Sequence, residues 1–158
     1  HPTGLGKTVL MASITRKVAE KANGRTLIIA HRRELIEQTA SMLDKVGLTV
    51  GVEMSDAYAR SICEPHVVVG TVQTLQRKRL ESWPSNYFKL VMVDEAHHAT
   101  AGTYRKILDY FDSAKVLGVT ATPDRADEER ILNVFQSVAH EMTLWDAMTA
   151  PAPGPYLC

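Results

Sequence analysis

Four short apolar runs constrain the fold of this chain more than any other feature: Thr26-Leu27-Ile28-Ile29-Ala30, His66-Val67-Val68-Val69-Gly70, Leu90-Val91-Met92-Val93 and Val116-Leu117-Gly118-Val119. None alternates apolar with polar residues, so each reads as a strand covered on both faces, as in a parallel sheet. Helical patterns lie between them. Leu10, Ile14 and Val18 fall on one stripe beside Met11, and Asn23-Gly24 is a stop signal, which predicts a helix from Thr8 to about Asn23. Residues 33–46 carry Leu35, Ile36, Leu43 and Val46 on one side before Gly47, and residues 72–82 read as a helix closed off by Pro84. Tyr104, Ile107, Leu108 and Phe111 have the spacing of an amphipathic helix. A further strand is expected over Thr49–Met54, while residues 56–65 show no clear pattern. Strands alternating with helices predict an α/β fold, a mostly parallel sheet with helices on both faces. Ligands of such sheets sit outside the carboxyl ends of the strands.

The opening residues, His1-Pro2-Thr3-Gly4-Leu5-Gly6-Lys7-Thr8, fit the pattern G-x-x-x-x-G-K followed by Ser or Thr, except that His1 replaces the first glycine. Gly4 and Gly6 permit backbone angles at which several N–H groups point at one set of phosphate oxygens. Lys7 adds a charge that reaches the outer phosphates, and the Thr8 hydroxyl can ligate an accompanying magnesium ion. A helix that starts at once aims its positive end at the same anion.

The run Leu90–Val93 ends in Asp94-Glu95-Ala96-His97-His98. An acid directly after a buried strand can hold magnesium beside the phosphates, and a second acid can orient or activate an attacking water. The spacing is not His-Glu-x-x-His, so His97 is expected to hydrogen-bond rather than to ligate metal. The last apolar run ends in Thr120-Ala121-Thr122-Pro123, whose hydroxyls can bond to the acid–histidine cluster; ordinary turn chemistry before proline is the other reading.

With these elements in order, the chain resembles superfamily-two helicases and translocases. Ala30-His31-Arg32-Arg33-Glu34-Leu35-Ile36-Glu37-Gln38 is similar to the family's motif Ia, and Gly70-Thr71-Val72-Gln73-Thr74-Leu75 to motif Ib. The resemblance is dense from His1 to about Arg125. It implies a RecA-like P-loop NTPase fold, the first of two motor domains that close around ATP. It assigns Pro2, Thr3, Gly4, Leu5, Gly6, Lys7 and Thr8 to ATP, Thr8 and Asp94 to Mg2+, and Glu95 to activating water. His97 with Thr120, Ala121 and Thr122 would couple hydrolysis to movement; Arg32, Arg33, Gly70, Thr71 and Gln73 would face nucleic acid. His-Arg-Arg-Glu-Leu and Thr-Ala-Thr stand where DEAD-box RNA helicases usually carry Pro-Thr-Arg-Glu-Leu and Ser-Ala-Thr. The wording is closer to DEAH-type DNA helicases and restriction-enzyme motor subunits, which favours DNA over RNA. The alternatives are an ATP-driven translocating subunit of a restriction-modification enzyme, or a nucleic-acid-sensing binder without turnover. The intact Lys7 and Glu95 argue against the last.

At 158 residues with 45% apolar content, the chain is long enough for a sizeable core. Basic and acidic residues each total 18, which speaks against strongly charge-driven binding to nucleic acid, though a local basic stripe is compatible. Cys63 and Cys158 make no disulfide framework, and no signal peptide or membrane span is evident, so a cytoplasmic protein is expected. Both ends read as cut. Residues 1–143 are expected to form the motor domain without its first strand, and 144–158 an exit helix and proline-rich linker towards a second RecA-like domain. Such a fragment alone is expected to bind nucleotide weakly.

Smaller polar groups carry weaker signals. Arg32 and Arg33 open a helix, the end that disfavours cations, so a phosphate or interface role stands beside plain solvation. Arg77, Lys78 and Arg79 read as a charged helix face, with contact to a phosphate backbone as the alternative. Trp83 is expected to cover the core edge rather than to stack on a base. Cys63 and His66 are read as structural.

Overall fold

A computed structural model describes residues 2–22, 24–58, 64–95 and 102–119. Helix α1 spans Pro2–Ala22, strand β1 Thr26–Ala30, α2 Arg33–Lys45, β2 Val50–Glu53 and β3 Val67–Thr71. Helix α3 (Arg77–Glu81), β4 (Leu90–Asp94), α4 (Gly102–Tyr110) and β5 (Lys115–Val119) follow. The five strands form one sheet in the order β2-β3-β1-β4-β5, and every pairing is parallel. This is the expected α/β arrangement.

The apolar runs explain the order. Every residue of β1, β3 and β4 is buried, and these are the inner strands; β2 and β5, with partly open residues, form the edges. Alternate residues feed two cores. Leu27, Val68 and Val91 are aligned across β1, β3 and β4, and pack with Leu75, Leu80, Trp83, Phe88, Tyr104, Ile107 and Phe111. Ile28, Val69 and Met92 face the other way, towards Met11 of α1 and Ile36 and Leu43 of α2. Helices therefore cover both faces, and each fully buried aliphatic or aromatic side chain contributes roughly 1.5–3 kcal/mol. Trp83 is 3% exposed and packs with Tyr87 and Phe88, whose ring meets Phe111 edge-on at 5.1 Å, so it covers the core edge as expected.

Helix ends follow local chemistry. Gly47 takes φ +86° after α2; its N–H donates to the Asp44 carbonyl at 3.0 Å and that of Leu48 to Leu43 at 3.2 Å. A left-handed glycine with these paired bonds closes a helix at little conformational cost.

Two expectations are corrected. The helix expected from Thr8 begins at Pro2 and runs through Gly4 and Gly6, the expected loop. Proline suits a first helical turn, where its missing N–H and fixed φ do no harm, while each glycine gives up about 1 kcal/mol relative to alanine. The helix expected over residues 72–82 is only α3, Arg77–Glu81. Val72 still donates to Ala30 as a continuation of the sheet, and Thr71 Oγ1 donates to Thr74 Oγ1 at 2.7 Å within a turn. Threonine hydroxyls compete with helix in this way. Arg77, the first residue of α3, takes φ 48° where the turn passes into the helix. Among the described residues no helix is long and apolar enough to cross a membrane. The expected couplers His97, Thr120, Ala121 and Thr122, the exit segment and Cys63 lie outside the described residues.

Candidate functional site

β4 is buried along its whole length and delivers Asp94, 3% exposed, to the carboxyl edge of the sheet. Glu95 follows with φ 53°, a left-handed conformation that costs a side-chain-bearing residue about 1–2 kcal/mol. Its N–H donates to Asp94 Oδ1 at 2.9 Å. α1 lies over the adjoining face and brings Lys7 to the same place. Lys7 Nζ is 2.7 Å from Asp94 Oδ1 and 2.6 Å from Glu95 Oε1. Burial works to lower the lysine pKa, but the hydrogen bonds and charges of Asp94 and Glu95 outweigh it and hold the ammonium above the usual lysine range. Two carboxylate oxygens thus converge on one cation, and their formal charges leave the trio one unit negative. A hard divalent cation fits the same donor chemistry, since magnesium prefers carboxylate oxygens and ligand phosphates.

The first turn of α1 adds a second feature. The N–H groups of Thr3 and Gly4 precede the first i→i−4 bond of the helix, and no acidic residue occupies this turn. The positive end of α1 is therefore uncompensated by its own first-turn side chains. Lys7 and Thr8 follow on the same helix.

Across β1, the ends of β1 and β3 carry the other candidates. Arg32 precedes α2 with extended backbone and makes no side-chain cap. Arg33 donates to Asp56 at 2.9 Å and to Glu37 at 3.3 Å, all three exposed, and it holds the Asp56 carboxyl below the usual carboxylate range. Gln73 Nε2 donates to the His31 carbonyl at 3.2 Å, joining the two segments. Gly70 and Thr71 are buried. A Cβ on Gly70 would lie 2.9 Å from Leu75 and 3.2 Å from the Glu53 carbonyl, so close packing demands glycine there. The structure thus brings Lys7, Asp94 and Glu95 together at one strand end, and Arg32, Arg33 and Gln73 along the neighbouring edge, while Gly70 and Thr71 lie buried at the end of β3.

Sequence reasoning missed two groups. Glu53 ends β2 at 2% exposure and pairs with Arg79 at 2.6 Å; Arg79 also donates to the Ala57 carbonyl and lies over the Tyr58 ring. The charged stripe at residues 77–79 therefore sends Arg79 inward and leaves Arg77 and Lys78 exposed. Nothing in the local pattern couples Glu53 to Arg79. The second is Tyr104, 2% exposed, whose hydroxyl has no hydrogen-bond partner among the described residues. Burial, with the Asp94 charge, pushes its phenol up to about 12.

The fold is that of RecA-like helicase motor domains. The helicase domain of Pyrococcus furiosus Hef superposes with TM-score 0.70 at 25% identity, over 82% of this chain and 31% of that one. The SWI2/SNF2 ATPase core of Sulfolobus solfataricus, solved in complex with dsDNA, gives 0.60 at 21% identity, over 82% of this chain and 29% of that one, a likeness of fold. Residues 1–125 match the family described as type III restriction enzyme, res subunit, and the chain belongs to that family. It is 36% identical over 152 residues to a Saccharomyces cerevisiae protein bearing the ATP-dependent helicase name IRC3, covering 87% of this chain and 22% of the relative. It is also 27% identical over 166 residues to the Escherichia coli type I restriction enzyme EcoAI endonuclease subunit, covering 98% of this chain and 20% of the relative. The chain spans about a fifth of the length of these relatives.

Proposed function

We propose that this chain is the nucleotide-binding half of an ATP-dependent helicase or translocase motor that acts on DNA inside the cell. The observation that carries the reading is the convergence of Lys7, Asp94 and Glu95 at the carboxyl edge of a parallel sheet, in a chain of this family.

The residues divide the work as follows. Residues Pro2 to Thr8, with the first-turn N–H groups of α1, hold the phosphates. Lys7 transfers its charge from the carboxylates to the outer phosphates, since one ammonium serves only one set of oxygens at full strength. Asp94 and the Thr8 hydroxyl would hold a magnesium ion, which would supply charge neutralisation to the phosphates. Glu95, freed from Lys7, orients a water and accepts its proton. His97, Thr120, Ala121 and Thr122 relay the change to a second RecA-like domain, and Arg32, Arg33 and Gln73 face the nucleic acid. Relatives with helicase and restriction names support the motor reading, and the solved complex of a fold neighbour with dsDNA supports DNA.

The test is ATP hydrolysis by the full-length protein without polymer and with single-stranded DNA, duplex DNA or RNA, at one salt concentration because polymer binding is salt-dependent. Stimulation by DNA that vanishes in Lys7→Ala is the expected result. Stimulation by RNA alone overturns the choice of DNA, and turnover retained in Lys7→Ala overturns the site. The match to the type I restriction subunit favours one second reading, a motor that feeds DNA to a nuclease; ATP-dependent cleavage of long DNA by the full assembly would establish it.

A further inference from the structure

Among the described residues two large apolar side chains are strongly exposed, Val9 at 47% and Tyr58 at 62%. Tyr58 is the one held in place by a purpose-built support. β2 ends at Glu53 and the chain doubles back at once, Met54 and Ala57 exchanging two backbone hydrogen bonds of 3.1 Å. Tyr58 is the next residue, so the turn presents it at the carboxyl edge of the sheet. Two arginines fasten the turn. Arg33, just after β1, pairs with Asp56 at 2.9 Å; Arg79, just after β3 and its turn, donates to the Ala57 carbonyl and pairs with buried Glu53 at 2.6 Å. The Arg79 guanidinium also lies 3.6 Å from the centroid of the Tyr58 ring. One face of the ring therefore rests on a cation whose own position is set by Glu53 and Ala57, while most of the side chain remains open to solvent.

This arrangement does little for the core, because an exposed ring recovers little burial energy. It does what a binding platform needs: it fixes an aromatic plane in advance, so that less ordering entropy is lost when a second plane stacks on it. The surroundings select the occupant. Arg32, Arg77 and Lys78 adjoin the two fastening arginines in sequence, are exposed, and enter no ion pair among the described residues. An aromatic plane backed by the Arg79 guanidinium, with further cations next in sequence to the residues that fasten its turn, suits a flat base joined to phosphates.

We infer that Tyr58 is a stacking platform for an unpaired base of single-stranded DNA, held in its pose by Arg79. The inference rests on the DNA-motor reading and adds a base contact to it. Such a contact needs no particular base, since every base has a π face.

The experiment measures fluorescence anisotropy with the full-length protein and two labelled probes of equal length, a mixed-sequence single-stranded DNA and a wholly abasic strand. Tyr58→Ala is expected to lose about five- to a hundred-fold in affinity for the base-bearing strand. Its affinity for the abasic strand, and the slope of log affinity against log salt on both strands, should stay at wild-type values, because phosphate contacts are untouched. Tyr58→Phe should bind like the wild type. Equal binding of the base-bearing strand by Tyr58→Ala and wild type overturns the inference, as does an equal loss on both strands, which would make the tyrosine an organiser of the turn. A wild-type protein that binds neither strand overturns the nucleic-acid reading itself.

Discussion

Lys7 Nζ donates to Glu95 Oε1 at 2.6 Å across 88 positions of sequence, and the same nitrogen pairs with Asp94. The cation assigned to phosphates and the acid assigned to water thus hold each other.

Glu95→Gln should retain nucleotide binding and lose hydrolysis. An amide oxygen still accepts the Lys7 bond, but it takes no proton from water, and loss of a general base typically lowers the rate by about 100- to 10,000-fold. Single-turnover hydrolysis beside fluorescent-nucleotide binding checks this, and unchanged turnover would remove Glu95 from that role.

Gly6→Ala should stabilise α1 and weaken nucleotide binding together. Alanine adds about 1 kcal/mol of helix propensity within Pro2–Ala22, and the same preference opposes any loop that wraps phosphates. Urea unfolding and nucleotide titration should move in opposite senses. A variant that is more stable and binds equally well would show that residues 2–6 act as a helix throughout.

Alkaline pH should destabilise the fold through two groups. The Lys7 pKa is raised above its ordinary 10.5, so its contribution is complete below that pH and is lost as pH rises through the folded value. The Tyr104 phenol is raised from 10.0 to about 12, so the unfolded chain releases this proton first and stability falls between those values. Thermal melts from pH 9 to about 12 should show this decline. Tyr104→Phe should remove one part of it and Lys7→Met the other; identical profiles in all three proteins would refute both assignments.

Arg79→Ala should destabilise by about 3–5 kcal/mol, because buried Glu53 loses its ion pair with the Arg79 guanidinium. Replacing both, as in Glu53→Leu with Arg79→Met, should recover much of that loss in denaturant unfolding. Strict additivity of the single and double variants would mean that the pair is not coupled.

The four apolar runs were legible because burial leaves a local mark: residues 27–30, 67–69, 90–93 and 116–119 carry no polar side chain. Gly47 was legible for the same kind of reason, since a left-handed helix end asks for glycine whatever surrounds it. Lys7 and the acids after Leu90–Val93 could likewise be singled out from residue type and order alone, and the fold brings them together.

Tertiary structure decided what depends on which strands are neighbours. The order β2-β3-β1-β4-β5 sets Asp94 beside the end of β1 under α1, and so lets Lys7 reach both carboxylates. The same order packs Glu53 against Gly70 and leaves β2 within reach of Arg79, a pairing absent from any local periodicity. It also overrode local preference at residues 72–76, where the sheet bond from Val72 to Ala30 and the Thr71–Thr74 bond displaced the expected helix. Periodicity records how a segment meets solvent; partners distant in sequence follow from strand order and register, which only the assembled sheet supplies.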